Sequence, residues 1–180
     1  PAQEQGWGRG AGGMRRHMTV TTFISAGGCT LLHWHEKNRM WLPAGGHIEP
    51  DEDPIQAAAR EALEETGLPI VILPTSAPYS YKEPPQLTSP VTIMVEEIPA
   101  TPSEKAHQHL DMIYFSQLDG QSDAGEVSLP STNSWRWVSA ETLRNNEGLA
   151  PGDGMPSVAV AEDVRVLGLA AIDRVAGEGA

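Results

Sequence analysis

The sequence predicts an α+β fold, a mixed β-sheet sandwiched with helices, and three observations carry that prediction. Segments of β-branched and alternating apolar residues recur along the chain, separated by glycine- and proline-bearing turns. An alanine-rich helical segment lies between two of them, and a second helical pattern closes the chain. No regular β-α-β alternation is present, which disfavours a doubly wound parallel sheet. With 180 residues, 39% of them hydrophobic, the chain suffices for one compact domain with a sizeable core and is short for two. We read residues 14–180 as that single domain.

Residues 1–13 hold five glycines and little periodicity, and they read as a flexible arm. From His17 the pattern changes. "HMTVTTFIS" is rich in β-branched residues, "GCTLLHWH" follows, and Gly27-Gly28 between them reads as a hairpin turn. "RMWLPAGG" predicts a short strand ended by Pro43 and a Gly45-Gly46 turn. Asp53-Pro54 marks a helix start, with Asp as N-cap and Pro at the first helical position, and Gly67 marks its stop. "LPIVIL" is the next strand, and the proline-rich residues 74–90 predict an irregular loop. "VTIMVEEI" and "LDMIYFSQL" resume the strand pattern on either side of the loop "PATPSEKAHQH". "SWRWVS" predicts a late strand and "SAETLRN" a short helix beginning at Ser139. Val160, Val164, Leu167 and Ala171 stand at helical spacing, which predicts a final helix packed on the body.

Charge and cysteine content narrow the function. Twelve basic residues against 24 acidic ones give a net charge of −12, which argues against a nucleic-acid partner, since backbone binding is driven by Lys and Arg. An anionic substrate would need cations to mediate its approach. No apolar run nears the roughly 20 residues that span a bilayer, and the first residues lack the apolar centre of a secretory signal. A soluble cytoplasmic protein without a membrane partner is therefore expected. The single cysteine, Cys29, excludes an intramolecular disulfide or a cysteine-rich zinc site and reads as a small buried hydrophobe.

One segment stands apart. "GGHIEPDEDPIQAAAREALEETGL" concentrates seven of the 24 acidic residues around a single arginine. On a helix Glu61, Glu64 and Glu65 fall within an arc of roughly 100°. Like charges at this spacing cost about 0.2–0.5 kcal/mol per pair. Ile55, Ala58, Ala59, Ala62 and Thr66 form a neighbouring face whose small side chains let the helix approach a sheet closely. A solvated acidic face is one reading of such a run. A divalent-metal site of hard oxygen ligands is the other, and the flanking features favour it. The Gly-Gly pair can offer a backbone carbonyl, and Arg60 stands where it can hold the carboxylates in position.

These residues resemble the Nudix box: Gly, five residues, Glu, seven residues, Arg-Glu, an apolar residue, any residue, Glu-Glu, any residue, Gly, apolar. Gly46, Glu52, Arg60, Glu61, Ala62, Glu64, Glu65, Gly67 and Leu68 occupy its fixed positions, with Ala62 where a larger aliphatic is more usual. The resemblance implies a Nudix-type α/β/α sandwich with a central mixed β-sheet. It also implies Mg²⁺ or Mn²⁺ held by Glu61, Glu64, Glu65 and the Gly45 carbonyl. Glu52 would support that cluster and Arg60 orient it. Most of the family hydrolyse the diphosphate linkage of a nucleoside diphosphate derivative, so a nucleotide-derived small molecule is the implied substrate. The physics agrees, because divalent ions neutralise a diphosphate and lower the pKa of a bound water. A homodimer is expected by analogy with the family only.

The base that activates water is not fixed by the box. Glu65 or Glu61 is the first candidate. The second lies in "HQHLDMIY", where His107, His109 and Asp111 would share one face if the stretch is a strand. A histidine pair there could act as base, extra metal ligand or phosphate partner; solvated loop histidines are the plain alternative. For the substrate, Trp41, Tyr79 and Tyr81 are candidate pocket edges and Arg39 a candidate phosphate contact, although aromatics near strands more often build core. Two other readings remain. A noncatalytic nucleotide-sensing module is disfavoured because every box glutamate is present. The family's isomerase branch relies on a catalytic cysteine, and Cys29 has no evident partner.

Overall fold

The computed structural model describes residues 14–120 and 135–178. The expected arm at residues 1–13 lies outside the described residues. The chain opens with four strands: β1 (Arg16–Ala26), β2 (Cys29–His35), β3 (Met40–Leu42) and β4 (Ala44–His47). Helix α1 (Pro54–Thr66) follows, then β5 (Ile70–Ile72), β6 (Thr92–Ile98), β7 (His107–Leu118) and β8 (Trp135–Ser139). Helices α2 (Ala140–Arg144) and α3 (Glu162–Glu178) complete the order. No helix among the described residues is long and apolar enough to cross a membrane.

The β1–β2 turn forms where two glycines meet, at φ 54° for Gly27 and 75° for Gly28. Both lie in the left-handed region that a two-residue hairpin requires and that glycine enters without a Cβ clash. At the centre of the sheet β1 and β7 run parallel, in register from Arg16↔Gln108 to Ser25↔Gln117. The remaining strand pairs are antiparallel. The second edge of β1 is divided: β4 lies along Thr19–Thr22, and β2 takes over at Ser25 and Ala26. The far edge of β7 is likewise shared by β6 and β5. The sheet is thus mixed.

Strand alternation sorts the core into two layers. Phe23, Ile113 and Phe115 join Leu143 of α2 and Val164, Ala171 and Ile172 of α3 on one side. Val20, Ile24, Tyr114 and Leu118 face the other side, against Ala57, Ala58 and Ala62 of α1. Those three alanines are fully buried, so the α1 backbone seats close to the sheet, as the small-residue face anticipates. At its start Asp53 accepts hydrogen bonds from the amides of Ile55 and Gln56 at 2.8 and 3.0 Å, and the Asp53 amide donates to Gln56 Oε1 at 2.9 Å. Gly67 ends it in the left-handed conformation, φ 73°.

Three sequence expectations need correcting. Gly45 and Gly46 are not a turn; they lie inside β4, opposite Thr21 and Val20. The reason is space, since a Cβ at Gly45 would fall on the Val20 carbonyl oxygen and one at Gly46 on the Glu61 carboxylate. His107–His109 are not loop; they begin β7, extending its pairing with β1 and β6. Cys29 is only partly buried, at the end of the hairpin turn.

Candidate active site

Two carboxylates of the acidic helix, Glu61 and Glu64, join one side-chain network, and Arg60 is its hub. The guanidinium grips Glu52 with two bonds, Nε to Oε2 at 3.0 Å and Nη2 to Oε1 at 2.7 Å. Nη1 donates to Glu61 Oε1 at 2.9 Å and Glu64 Oε2 at 3.1 Å, and Nη2 reaches the His47 carbonyl at 3.0 Å. Planar, bidentate pairing of this kind is what distinguishes arginine from lysine. The Arg60 bond holds the Glu52 carboxyl below its ordinary range, helped by the Glu49 amide, and the carboxylates raise the pKa of Arg60. Glu52 also accepts from the Glu49 amide at 2.9 Å, which closes the loop before α1 on itself.

Glu65 points elsewhere. The Gly45 amide donates to its Oε2 at 3.2 Å, and the indole N–H of Trp135 donates to its backbone carbonyl at 3.0 Å. Although much of the residue is exposed, burial around the carboxylate pushes its pKa up, opposed by the Gly45 amide and reinforced by Glu61 and Glu64. The two glycines serve different neighbours: Gly45 lets β4 pair closely with β1, and Gly46 leaves the room in which the Glu61 carboxylate of α1 sits.

Beside this network lies a cavity of about 310 Å³, at the lower end of small-molecule sites. It opens between β1, β4, β6, β7 and the first turns of α3. Gly45, Gly46, His47 and Glu65 form one wall, and Glu96, His109, Asp111 and Asp163 supply further polar groups. Phe23, Ile113 and Leu167 give it apolar surface. Asp111 is buried and accepts from Thr19 Oγ1 at 2.9 Å; burial raises its pKa, and bonds from Thr21 and Thr19 oppose the rise. Glu96 is raised by burial, then by Asp111 and Asp163. Among the described residues, no lysine or arginine lines the cavity.

The structure brings together some of the sequence-derived candidates and separates others. Glu52, Arg60, Glu61 and Glu64 share one network, and Glu65, Gly45, His109 and Asp111 line the cavity. His107 is buried just behind His109, with its Nε2 3.2 Å from that of His109. Trp41 does not reach the cavity. The alternation of β3 turns it into the core, where its N–H donates to the Leu149 carbonyl at 3.3 Å and Arg136 covers its ring. Tyr79 and Tyr81 stand exposed on the proline-rich loop, and Arg39 sits exposed in the β2–β3 turn. None of these three lines the cavity. Sequence reasoning missed His17 and His47, which lie beside His109. The signal available was parity, since His17 and Thr19 share a strand face and each pairs across the sheet with one of these histidines.

A family model described as NUDIX domain matches residues 15–156. Among solved structures, a NUDIX-family hydrolase from Clostridium perfringens is similar with a TM-score of 0.63 at 27% identity, covering 90% of this chain and 99% of that one. The MutT protein from Methanosarcina mazei Go1 has a TM-score of 0.49 at 19% identity, covering 90% and 96% of the two chains. An Ap4A hydrolase from C. elegans has a TM-score of 0.45 at 17% identity, covering 93% and 99%. No curated protein matches the chain.

Proposed function

The chain belongs to the NUDIX family of hydrolases, and from that premise we propose that it uses Mg²⁺ or Mn²⁺ to cleave the diphosphate linkage of a nucleoside diphosphate derivative. One observation supports this most. Glu65 belongs both to the carboxylate cluster of α1 and to the cavity wall, so charge suited to a metal and space suited to a substrate meet at one side chain. The donor set fits a hard divalent ion, because three carboxylates project from one helix beside a glycine that a Cβ would fill. Glu61, Glu64, Glu65 and the Gly45 carbonyl would hold it. When bound, the ion neutralises the diphosphate and lowers the pKa of the attacking water.

The chain's own residues do the rest. Glu52 fixes Arg60, and Arg60 fixes Glu61 and Glu64, so the carboxylates are arranged before substrate arrives and little ordering is left to the reaction. Glu65 is our choice for the general base because its carboxylate lies at the cavity wall with one oxygen anchored by the Gly45 amide. The cavity, lined by no Lys or Arg among the described residues, suits the uncharged part of the substrate, from whose N–H and O–H groups Asp111 and Glu96 can accept hydrogen bonds. Phosphates then lie at the α1 end.

The test is release of nucleoside monophosphate from a panel of ADP-ribose, dinucleoside polyphosphates, nucleotide sugars and nucleoside triphosphates, with Mg²⁺ or Mn²⁺. At least one should turn over. Glu64→Gln and Glu65→Gln should each lower turnover about 100-fold or more with the fold intact. No turnover of the whole panel, or full activity in both variants, overturns the assignment.

A further inference from the structure

Four of the chain's six histidines, His17, His47, His107 and His109, gather at one end of the central sheet. Strand register brings them there. His17 of β1 pairs with His109 of the parallel β7, and two residues along β1 Thr19 pairs with His47 of β4. His17 Nδ1 lies 3.2 Å from His47 Nε2, and the His47 and His109 ring centroids are 5.0 Å apart. One nitrogen from each of His17, His47 and His109 lies within 4.8 Å of the other two.

That spacing has a chemical meaning. An ion bound at about 2.0–2.1 Å by imidazole nitrogens in tetrahedral geometry sets those nitrogens about 3.3 Å apart. The His17–His47 pair spans such an edge already, and a nitrogen of His109 lies within 4.8 Å of both partners to complete the triangle. His107 supports the arrangement from behind. Its Nδ1–H donates to the Lys105 carbonyl at 3.0 Å, which leaves Nε2 to meet His109 at 3.2 Å and hold that ring. Backbone-anchored imidazoles of this kind orient ligand rings at metal centres.

We propose that His17, His47 and His109 form a second metal site, selective for a borderline divalent ion of the Zn²⁺ class. Three imidazoles suit Zn²⁺, Co²⁺ or Ni²⁺ and suit Mg²⁺ or Mn²⁺ poorly, so the two sites divide ions by ligand hardness. His47 and His109 line the cavity, so the ion's remaining coordination position opens toward it. The inference rests on the histidine geometry and not on the reading of the α1 carboxylates.

The test is a Co²⁺ titration of the chelator-treated full chain, carried without an added histidine tag. The expected result is the intense visible absorption of four-coordinate Co²⁺, saturating at one equivalent and displaced by Zn²⁺. His47→Ala and His17→Gln, both outside the buried core, should abolish it with circular dichroism unchanged, and Glu64→Gln should retain it. Absence of that absorption in the native chain overturns the proposal; so does its survival in both histidine variants, or its loss in Glu64→Gln.

Discussion

Replacing Gly46 with alanine adds one methyl group at the point where β4 meets α1, and the outcome can be worked out from its neighbours. The new Cβ would overlap the Glu61 carboxylate, lying 2.8 Å from Oε2 and closer still to the other two carboxylate atoms. Those atoms are the free end of a flexible side chain, so Glu61 swings aside and the sheet stays in place. The move breaks the 2.9 Å bond from Arg60 Nη1. Losing one partly exposed, charge-assisted bond costs about 1–2 kcal/mol. Turnover should suffer more, because displacing a group by about 1 Å in a preorganised site can cost 100-fold. Gly45→Ala is the control. There the overlap is with the Val20 backbone carbonyl, and Thr21 Oγ1 lies 2.9 Å away. Backbone cannot rotate aside, so β4 must part from β1, at about 3 kcal/mol. Urea unfolding and nucleotide hydrolysis of the two variants measure both quantities. If Gly46→Ala keeps native turnover, or if Gly45→Ala is no less stable than Gly46→Ala, the reasoning fails.

Two pH effects complete the expectations. The folded pKa of Glu52 is depressed by Arg60, so its stabilising contribution is present above the ordinary value of 4.5 and is lost as pH falls through the depressed one. Arg60→Ala should therefore be less stable than the native chain at neutral pH, with the gap narrowing in acid-range urea melts; a gap independent of pH would contradict the assigned ion pair. Asp111 behaves oppositely. Burial raises its folded pKa above 3.8, so its contribution to native stability declines as pH rises from that value through the raised one, and Asp111→Asn lacks that contribution. The variant's melting temperature relative to native should increase across that window, and a flat or falling difference would argue that Asp111 is not destabilised by burial.

Much of the framework was legible locally. Asp53, Pro54 and Gly67 bound α1 because capping and left-handed termination depend on residues within one turn. The Gly27-Gly28 hairpin follows from two consecutive positive φ angles. Two features misled for the same reason. Glycine pairs and the loop-like "SEKAHQH" carry local turn signals, while their strand state is imposed by partners far away in sequence, His107 by β6 and Gly46 by β1. Trp41 shows the limit for aromatics, since composition cannot tell a core ring from a pocket edge until strand alternation assigns a face.

The sequence by itself determined the grouping of Arg60, Glu61, Glu64 and Glu65, because helical period sets residues this close in number on neighbouring positions of one helix. Only the tertiary structure decided which distant groups face them. The parallel pairing of β1 with β7 joins residues 92 apart, as Thr19 and Asp111 are, and it sets the cavity floor and gathers the histidines of three strands. Register between strands is a property of the whole packed sheet, and no local stretch of chain encodes it.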